Sequence, residues 1–412
     1  MNYLPGFTLQ PHLLVFALVS LVISAVLLLP YIKWLKKLHV EQYLREEGPK
    51  SHEHKAKTPT AGGVCFMVAA VVTSIAWLVY TKSFDWSVAI VIGWGLACGL
   101  LGLVDDLAKV KQKTNKGVSA RMRLIVETLL GCALGAAIYF VGTPLYGHGA
   151  IILPGGISLS GIHLPGIYLG NLNQGDLNLA GLSSAAVSSG AINIVPPAQV
   201  HVTLIKLSLL LWVPLAAFLT AATTNAVNLH DGMDGLAAGT GAQVFATLAL
   251  IFLATGQLSF AVLSAAMAGG VLGFLLWNRY PAAIFMGDTG SLFLGAMMAA
   301  LVVSGGVVFW FVPLSLIYIV EALSVMAQVS YYKLTKPYTP EKPISSLALA
   351  WYKLTHKLPG EGKRIFRMAP LHHHFEAALA EQGITEWQVV AGFWLVQLGL
   401  SLAVLALFYL WR

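Results

Sequence analysis

Three acidic motifs stand out in a chain that is otherwise apolar: Val104-Asp105-Asp106, Asn225-Ala-Val-Asn228-Leu-His230-Asp231-Gly-Met-Asp234-Gly235, and Phe285-Met-Gly-Asp288-Thr289-Gly-Ser291. Carboxylates beside apolar runs are costly to keep near lipid, so each is a functional candidate. Mg2+ takes a few carboxylates plus water and substrate phosphates rather than a complete protein cage. Asp288, in a Gly-Asp-Thr-Gly turn where the backbone can approach a ligand closely, suits that task. Asp105 and Asp106 are adjacent and point about 100° apart on a helix, so one can face the site while the other holds a neighbour. Lys109, Lys111, Lys113 and Lys116 follow them as cations for an anionic substrate.

Turn and cap chemistry would account for Asp288 alone, or for Asp231 and Asp234. It does not explain why Asn225, Asn228 and His230 join them, a density of amides and carboxylates that can read a base and a ribose by hydrogen bonding. A later run, His372-His373-His374, has the ligand type for zinc. Consecutive positions on one helix point in three directions and cannot all reach one ion, so phosphate contact or proton handling by one or two of them is the better reading.

The elements that must position these groups are membrane helices. A chain of 412 residues with 57% hydrophobic and 10% charged residues and a mean hydropathy of +0.74 is not a water-soluble domain. Runs long enough to cross about 30 Å of hydrocarbon lie near 13–35, 63–80, 87–104, 122–141, 202–223, 235–255, 259–277, 290–304, 307–332 and 387–410. The runs are continuously apolar, not alternating, which excludes a membrane β-barrel. The expected fold is therefore an all-α polytopic membrane protein of about ten transmembrane helices, a single domain over 1–412.

Lys and Arg set its orientation, because cytoplasmic loops retain them. Of 25 such residues, all but Lys82, Lys206 and Arg412 follow odd-numbered spans. Odd-numbered loops are thus expected in the cytoplasm, with both termini periplasmic. The Asp105-Asp106 pair, the Asn225 to Asp234 motif, the Asp288 motif and the His run follow spans three, five, seven and nine, so all four reach the cytoplasmic face.

Most of the +7 formal charge is this same bias, and the remainder would attract anionic headgroups or a nucleotide. Nucleic-acid binding is not expected, since there is no soluble basic domain. Cys65, Cys98 and Cys132 fall inside spans without metal-ligand spacing and read as small core residues. The first span lacks a basic start and a cleavage site and reads as a retained helix, not a removed signal peptide.

Two stretches interrupt the short loops. The periplasmic insert 142–201 is rich in Gly, Leu, Ile, Ser and Asn, and alternation at Ile157, Leu159, Ile162 and Leu164 suggests short β hairpins at the bilayer surface. The cytoplasmic loop 334–386 carries the His run, and Leu347, Leu349, Trp351 and Tyr352 give it the apolar face of an interfacial helix. Tyr332-Lys-Leu-Thr335 recurs there as Tyr352-Lys-Leu-Thr355.

Taken together, Lys57-Thr-Pro-Thr-Ala-Gly-Gly63, Asp105-Asp106, the Asn225 to Leu236 motif, Phe285 to Ser291 and Met368-Ala-Pro-Leu-His-His-His-Phe-Glu376 resemble the polyprenyl-phosphate N-acetylhexosamine-1-phosphate transferases. The last motif resembles the branch that uses a muramoyl-pentapeptide donor. The resemblance implies transfer of phospho-N-acetylmuramoyl-pentapeptide from its UDP carrier to undecaprenyl phosphate, giving lipid I and UMP in the bacterial inner membrane. It implies Mg2+ on Asp288, and Asp105 acting on the polyprenyl phosphate as base or as nucleophile with Asp106 assisting. It also implies a pocket lined by Lys57, Asn228, Asp231, Asp234, Asn278 and Phe285, with His372, His373, His374 and Lys116 among the substrate contacts, membrane lipid as surroundings, and a homodimer.

The inserts at 142–201 and around 336–361 are longer than the family pattern, and His230 stands where a small hydroxyl residue is expected. Two other functions remain in view. A sister enzyme using UDP-N-acetylglucosamine would share the fold, against which the His-His-His-Phe-Glu ending argues. A secondary transporter would have similar spans, but its site would lie near the midplane between repeated halves, and no repeat of the spans is visible.

Overall fold

Long apolar runs become helices here because a backbone in lipid must satisfy its own hydrogen bonds. The computed structural model describes residues 11–38, 58–82, 84–112, 117–141, 149–153, 167–172, 202–340 and 345–410. The helices are α1 (Pro11–Lys37), α2 (Gly63–Thr81), α3 (Trp86–Gln112), α4 (Ala120–Val141), α5 (Leu209–His230), α6 (Leu236–Ala254), α7 (Leu258–Asn278), α8 (Gly287–Ser304), α9 (Val308–Leu314), α10 (Leu316–Leu334), α11 (Ser346–Thr355), α12 (Leu371–Leu379) and α13 (Glu386–Leu410). Among the described residues, nine helices are long and apolar enough to cross a membrane, and α9 and α10, which meet at a bend of 67°, are long and apolar enough only when taken together.

The centre of the bundle is α8, in which every residue from Thr289 to Ser304 is buried. Runs of small side chains such as Ala296, Ala299 and Ala300 let α3, α5 and α2 pack directly on it. Around this core, α1 lies on α7, α7 on α6, and α4 on α5.

Two sequence expectations are corrected. The fifth span begins at Leu209, not near 202, because Val202–Leu207 is the middle strand of a three-stranded antiparallel sheet. This strand, β3, pairs with β1 (Ala150–Leu153) and β2 (Ile167–Leu172), matching Ala150 with Lys206 and Ile167 with Leu207. The run Val202-Thr-Leu-Ile205, β-branched at all but Leu204, is apolar enough to imitate the start of a span. The ninth span is not continuous but breaks between Leu314 and Leu316, next to Pro313. The carbonyl of Leu314 at this break accepts a hydrogen bond from Gln397 Nε2 of α13 at 3.1 Å.

The Ile152 amide of β1 donates to Gly306 O just past the end of α8, at 2.7 Å. The sheet therefore covers one end of α8 and Asp288 opens the other, about 27 Å away for a helix of 18 residues. Ile157, Leu159, Ile162 and Leu164 lie outside the described residues.

Candidate active site

Asp288 sits in the first turn of α8, where the helix dipole favours an anion. Its Oδ2 accepts from Lys109 Nζ at 2.9 Å and from Arg123 Nη1 at 3.0 Å, and its Oδ1 accepts from Asn228 Nδ2 at 2.9 Å. Four helices meet on this carboxylate: α8 supplies it, α3 the lysine, α4 the arginine and α5 the amide. Asp288 is 14% exposed, so the cluster opens to the surface. The close approach has a cause in α3, where any side chain at Gly102 would collide with the backbone of Asp288 and Thr289.

The adjacent acids of α3 take different partners. Asp106 points into the start of α8 and accepts the amides of Asp288 at 3.0 Å and Thr289 at 2.9 Å, together with Thr289 Oγ1 at 2.6 Å. It satisfies amides that the first turn of a helix leaves without an internal partner. Asp105 binds Lys109 Nζ at 2.6 Å and accepts the Val118 amide. Lys109 therefore bridges Asp105 and Asp288.

Arg123 and Asn225 extend the cluster. Asn225 Nδ2 donates to Glu127 Oε2 and to Ala221 O, while Arg123 Nη2 reaches Asn225 Oδ1 at 3.4 Å. Glu127 is fully buried, 3.9 Å from Arg123 Nε. Arg123 and Glu127 were not identified as site residues from sequence. The signal that flags the aspartates, a lone charge within an apolar span, applies equally to Glu127.

Asp231 follows the last residue of α5, and burial pushes its carboxyl up to about 8, with the charges of Asp288, Asp106 and Asp234 adding to the shift. Asp234 Oδ2 accepts the Ala282 amide at 2.9 Å, and its own amide donates to Glu386 Oε1 at 3.0 Å. Asn278 accepts the Gly235 amide at 3.1 Å and donates to Ile284 O at 2.9 Å. Both side chains thus hold the turn 279–285 in place, at the border of the acidic cluster. Phe285 exchanges backbone hydrogen bonds with Pro59 and Gly62, each 2.8 Å, which ties the Thr58 to Gly63 segment to the Asp288 motif. Lys57 and Lys116 lie outside the described residues.

The three consecutive imidazoles diverge. His372 is buried and meets Glu321 of α10, His373 Nδ1 meets Glu376 at 3.0 Å, and His374 Nδ1 accepts the Arg367 amide at 3.1 Å. Burial holds the His372 imidazole down to about 4, so it is neutral at physiological pH. A side chain at Gly232, between Asp231 and Asp234, would run into the rings of His372 and His373. The His motif thus packs on the Asn225 to Asp234 motif.

A carboxylate that already gathers two cations and an amide donor, surrounded by Asp105, Asp106 and Asp231, presents hard oxygen donors of the kind Mg2+ takes. The open edge beside Lys109 and Arg123 is suited to phosphate.

The family model described as glycosyl transferase family 4 matches residues 88–306. A protein of Halalkalibacterium halodurans named phospho-N-acetylmuramoyl-pentapeptide-transferase is 33% identical over 400 residues, covering 97% of this chain and 98% of its own. Proteins of the same name from Rippkaea orientalis and Gloeothece citriformis are 35% and 36% identical, covering 93% and 91% of this chain and 84% and 80% of theirs. Matched by that model over more than half its length and by these relatives almost end to end, the chain belongs to glycosyl transferase family 4, among the phospho-N-acetylmuramoyl-pentapeptide transferases.

Proposed function

We propose that this chain transfers phospho-N-acetylmuramoyl-pentapeptide from its UDP carrier to undecaprenyl phosphate, releasing UMP and forming lipid I. The observation that carries the reading is the convergence of Lys109, Arg123 and Asn228 on Asp288, with Asp105 on the far side of Lys109. The names of the near full-length relatives support the donor and the reaction.

In the transfer, an oxygen of the lipid phosphate forms a bond to the sugar-linked phosphorus of the donor. The bond from that phosphorus to the bridging oxygen breaks, and the electron pair leaves with UMP. Two anions must meet for this to occur. Lys109 and Arg123 offset their repulsion, and Asp105, held by Lys109 and the Val118 amide, is placed to take the proton of the lipid phosphate. Asp106 keeps the first turn of α8 fixed beneath Asp288. Asn228 orients the Asp288 carboxylate while also donating to Ser291 Oγ at 2.8 Å.

Asp288 would hold Mg2+, with Asp105 and Asp231 nearest in chemistry to assist it. When bound, the ion supplies Lewis-acid neutralisation of phosphate charge. The reading carries with it a cytoplasmic active site in the bacterial inner membrane, periplasmic termini and a homodimer. The Lys and Arg asymmetry of the loops supports the orientation.

The test is UMP release by the purified protein with undecaprenyl phosphate and Mg2+, offering UDP-N-acetylmuramoyl-pentapeptide and UDP-N-acetylglucosamine in parallel, with Asp288→Ala as control. Release from the muramoyl donor alone is expected. Release from the glucosamine donor alone would move the chain to the sister reaction, and release from neither by folded protein would refute transfer.

A further inference from the structure

Packed against the Asn225 to Asp234 motif lies a second group of ligand side chains, to which the steps proposed above give no part: His230 at the end of α5, Glu321 in α10 and His372 in α12, all buried. One donor atom from each lies within 4.8 Å of the other two. His372 Nδ1 is 3.2 Å from Glu321 Oε2, and His230 Nδ1 is 3.8 Å from Glu321 Oε1. Ligands bound at about 2.0–2.1 Å around a tetrahedral ion stand about 3.4 Å apart, so each imidazole already stands near that separation from one of the two Glu321 oxygens.

Hydrogen bonding leaves the group incomplete. Both ring nitrogens of His230 and Nε2 of His372 are buried and make no hydrogen bond. The His230 ring is enclosed by aromatic groups, 4.9 Å from Tyr318 and 5.8 Å from Phe393, where water cannot easily compensate it. A fully buried imidazole whose ring nitrogens make no hydrogen bond is destabilising unless something binds it.

We infer that His230, Glu321 and His372 form a binding site for a divalent transition-metal ion of the zinc type, joining α5, α10 and the helix that carries the His motif. Two imidazoles and one carboxylate select a borderline ion over Mg2+, and a water completes the shell. On binding, the single ring proton of the neutral His372 would move from Nδ1, where it faces Glu321, to Nε2, so that Nδ1 is free to coordinate. The Glu321 Oε1 atom also accepts the His372 amide at 3.1 Å, which fixes the start of α12 on α10. The ion would lock His373 and His374 in place over the Asn225 to Asp234 motif. The site is particular to chains with His at position 230, because Glu321 and His372 alone supply only two ligands.

The experiment uses the full-length protein in detergent, carried on a tag without histidine, stripped with a chelator and kept in excess Mg2+ to occupy hard-oxygen sites. Co2+ is added as a coloured stand-in, then Zn2+. The expected result is one equivalent of tetrahedral Co2+ absorption, displaced by one equivalent of Zn2+ and unaffected by Mg2+. Since losing a mere outer partner of a metal ligand costs about 10–100-fold in affinity, His230→Ser should weaken binding by at least about a hundredfold. His230→Cys should keep the ion and add a thiolate-to-cobalt charge-transfer band, and it decides the matter if His230→Ser does not fold. A wild type that binds no more Co2+ than His230→Ser, or a His230→Cys protein without the thiolate band, overturns the site and leaves Glu321 as a simple bridge between two imidazoles.

Discussion

Asp105 and Asp106 are neighbours in the chain with separable tasks, and single substitutions should tell them apart. Asp106 accepts three donors at the start of α8, so Asp106→Asn turns an amide group toward buried N–H donors at a cost of about 1–3 kcal/mol. Its melting temperature and its activity should fall together. Asp105→Asn should melt nearly as the wild type does, still bind the nucleotide donor, and lose about 10²- to 10⁴-fold in turnover, the usual contribution of a general base. Equal turnover in Asp105→Asn and wild type would remove Asp105 from the chemistry. Asp288→Asn removes the negative charge that would attract a hard cation, so its activity should collapse and recover only in part at raised Mg2+; recovery to the wild-type rate would place the metal elsewhere. At this scale the aspartates, Asn225 and Asn228 were legible in the sequence because charged and amide groups are rare beside apolar runs. Arg123 was hidden among loop cations, and Glu127 and Glu321 were passed over as single acids within spans, although their rarity there carries the same signal. The partnership of His230 with Glu321 and His372 joins three distant parts of the chain and has no local trace.

Among the elements, hydropathy located ten spans in the right order, and its two errors have physical causes. A strand such as Val202–Leu207 is as rich in apolar and β-branched residues as the start of a helix in lipid, and hydropathy cannot separate it from the first turn of a span. The break between α9 and α10 depends on a carbonyl finding Gln397 on a helix some eighty residues later, which no local pattern reports. Gln397→Leu should leave the Leu314 carbonyl without that donor and lower stability by about 0.6–2 kcal/mol, seen as a reduced melting temperature in detergent with turnover unchanged. An unaltered melt would mean that the break is satisfied in another way. The repeated Tyr-Lys-Leu-Thr has a use that its sequence did not suggest. Lys333 Nζ donates to Leu354 O at 2.9 Å, and Lys353 Nζ donates to Leu334 O at 3.1 Å, so each copy caps the end of the other's helix. This exchange holds α11 against α10 with Leu347 82% and Trp351 69% exposed, the unburied apolar face that an interfacial helix needs.

On the scale of the whole molecule, α8 links the two ends, with the sheet docked past Ser304 and the acids gathered at Gly287. The chain between β2 and β3 can therefore change without touching the chemistry, provided the strands stay paired from Leu172↔Val202 onward. Replacing residues 173–201 with a short turn should leave turnover largely intact, whereas inactivity of a still-folded protein would give the insert a part in catalysis. At the other end, the reaction is defined by which phosphorus–oxygen bond of the donor breaks. The most direct measurement places a radioactive label separately on each phosphorus of UDP-N-acetylmuramoyl-pentapeptide and follows it after reaction with undecaprenyl phosphate. Transfer of the phospho-sugar should carry the sugar-linked phosphorus into the lipid phase and release the uridine-linked phosphorus as UMP, both only when Asp288 is intact. Sugar-linked label that stays in the aqueous phase, or uridine-linked label that enters the lipid, would contradict it.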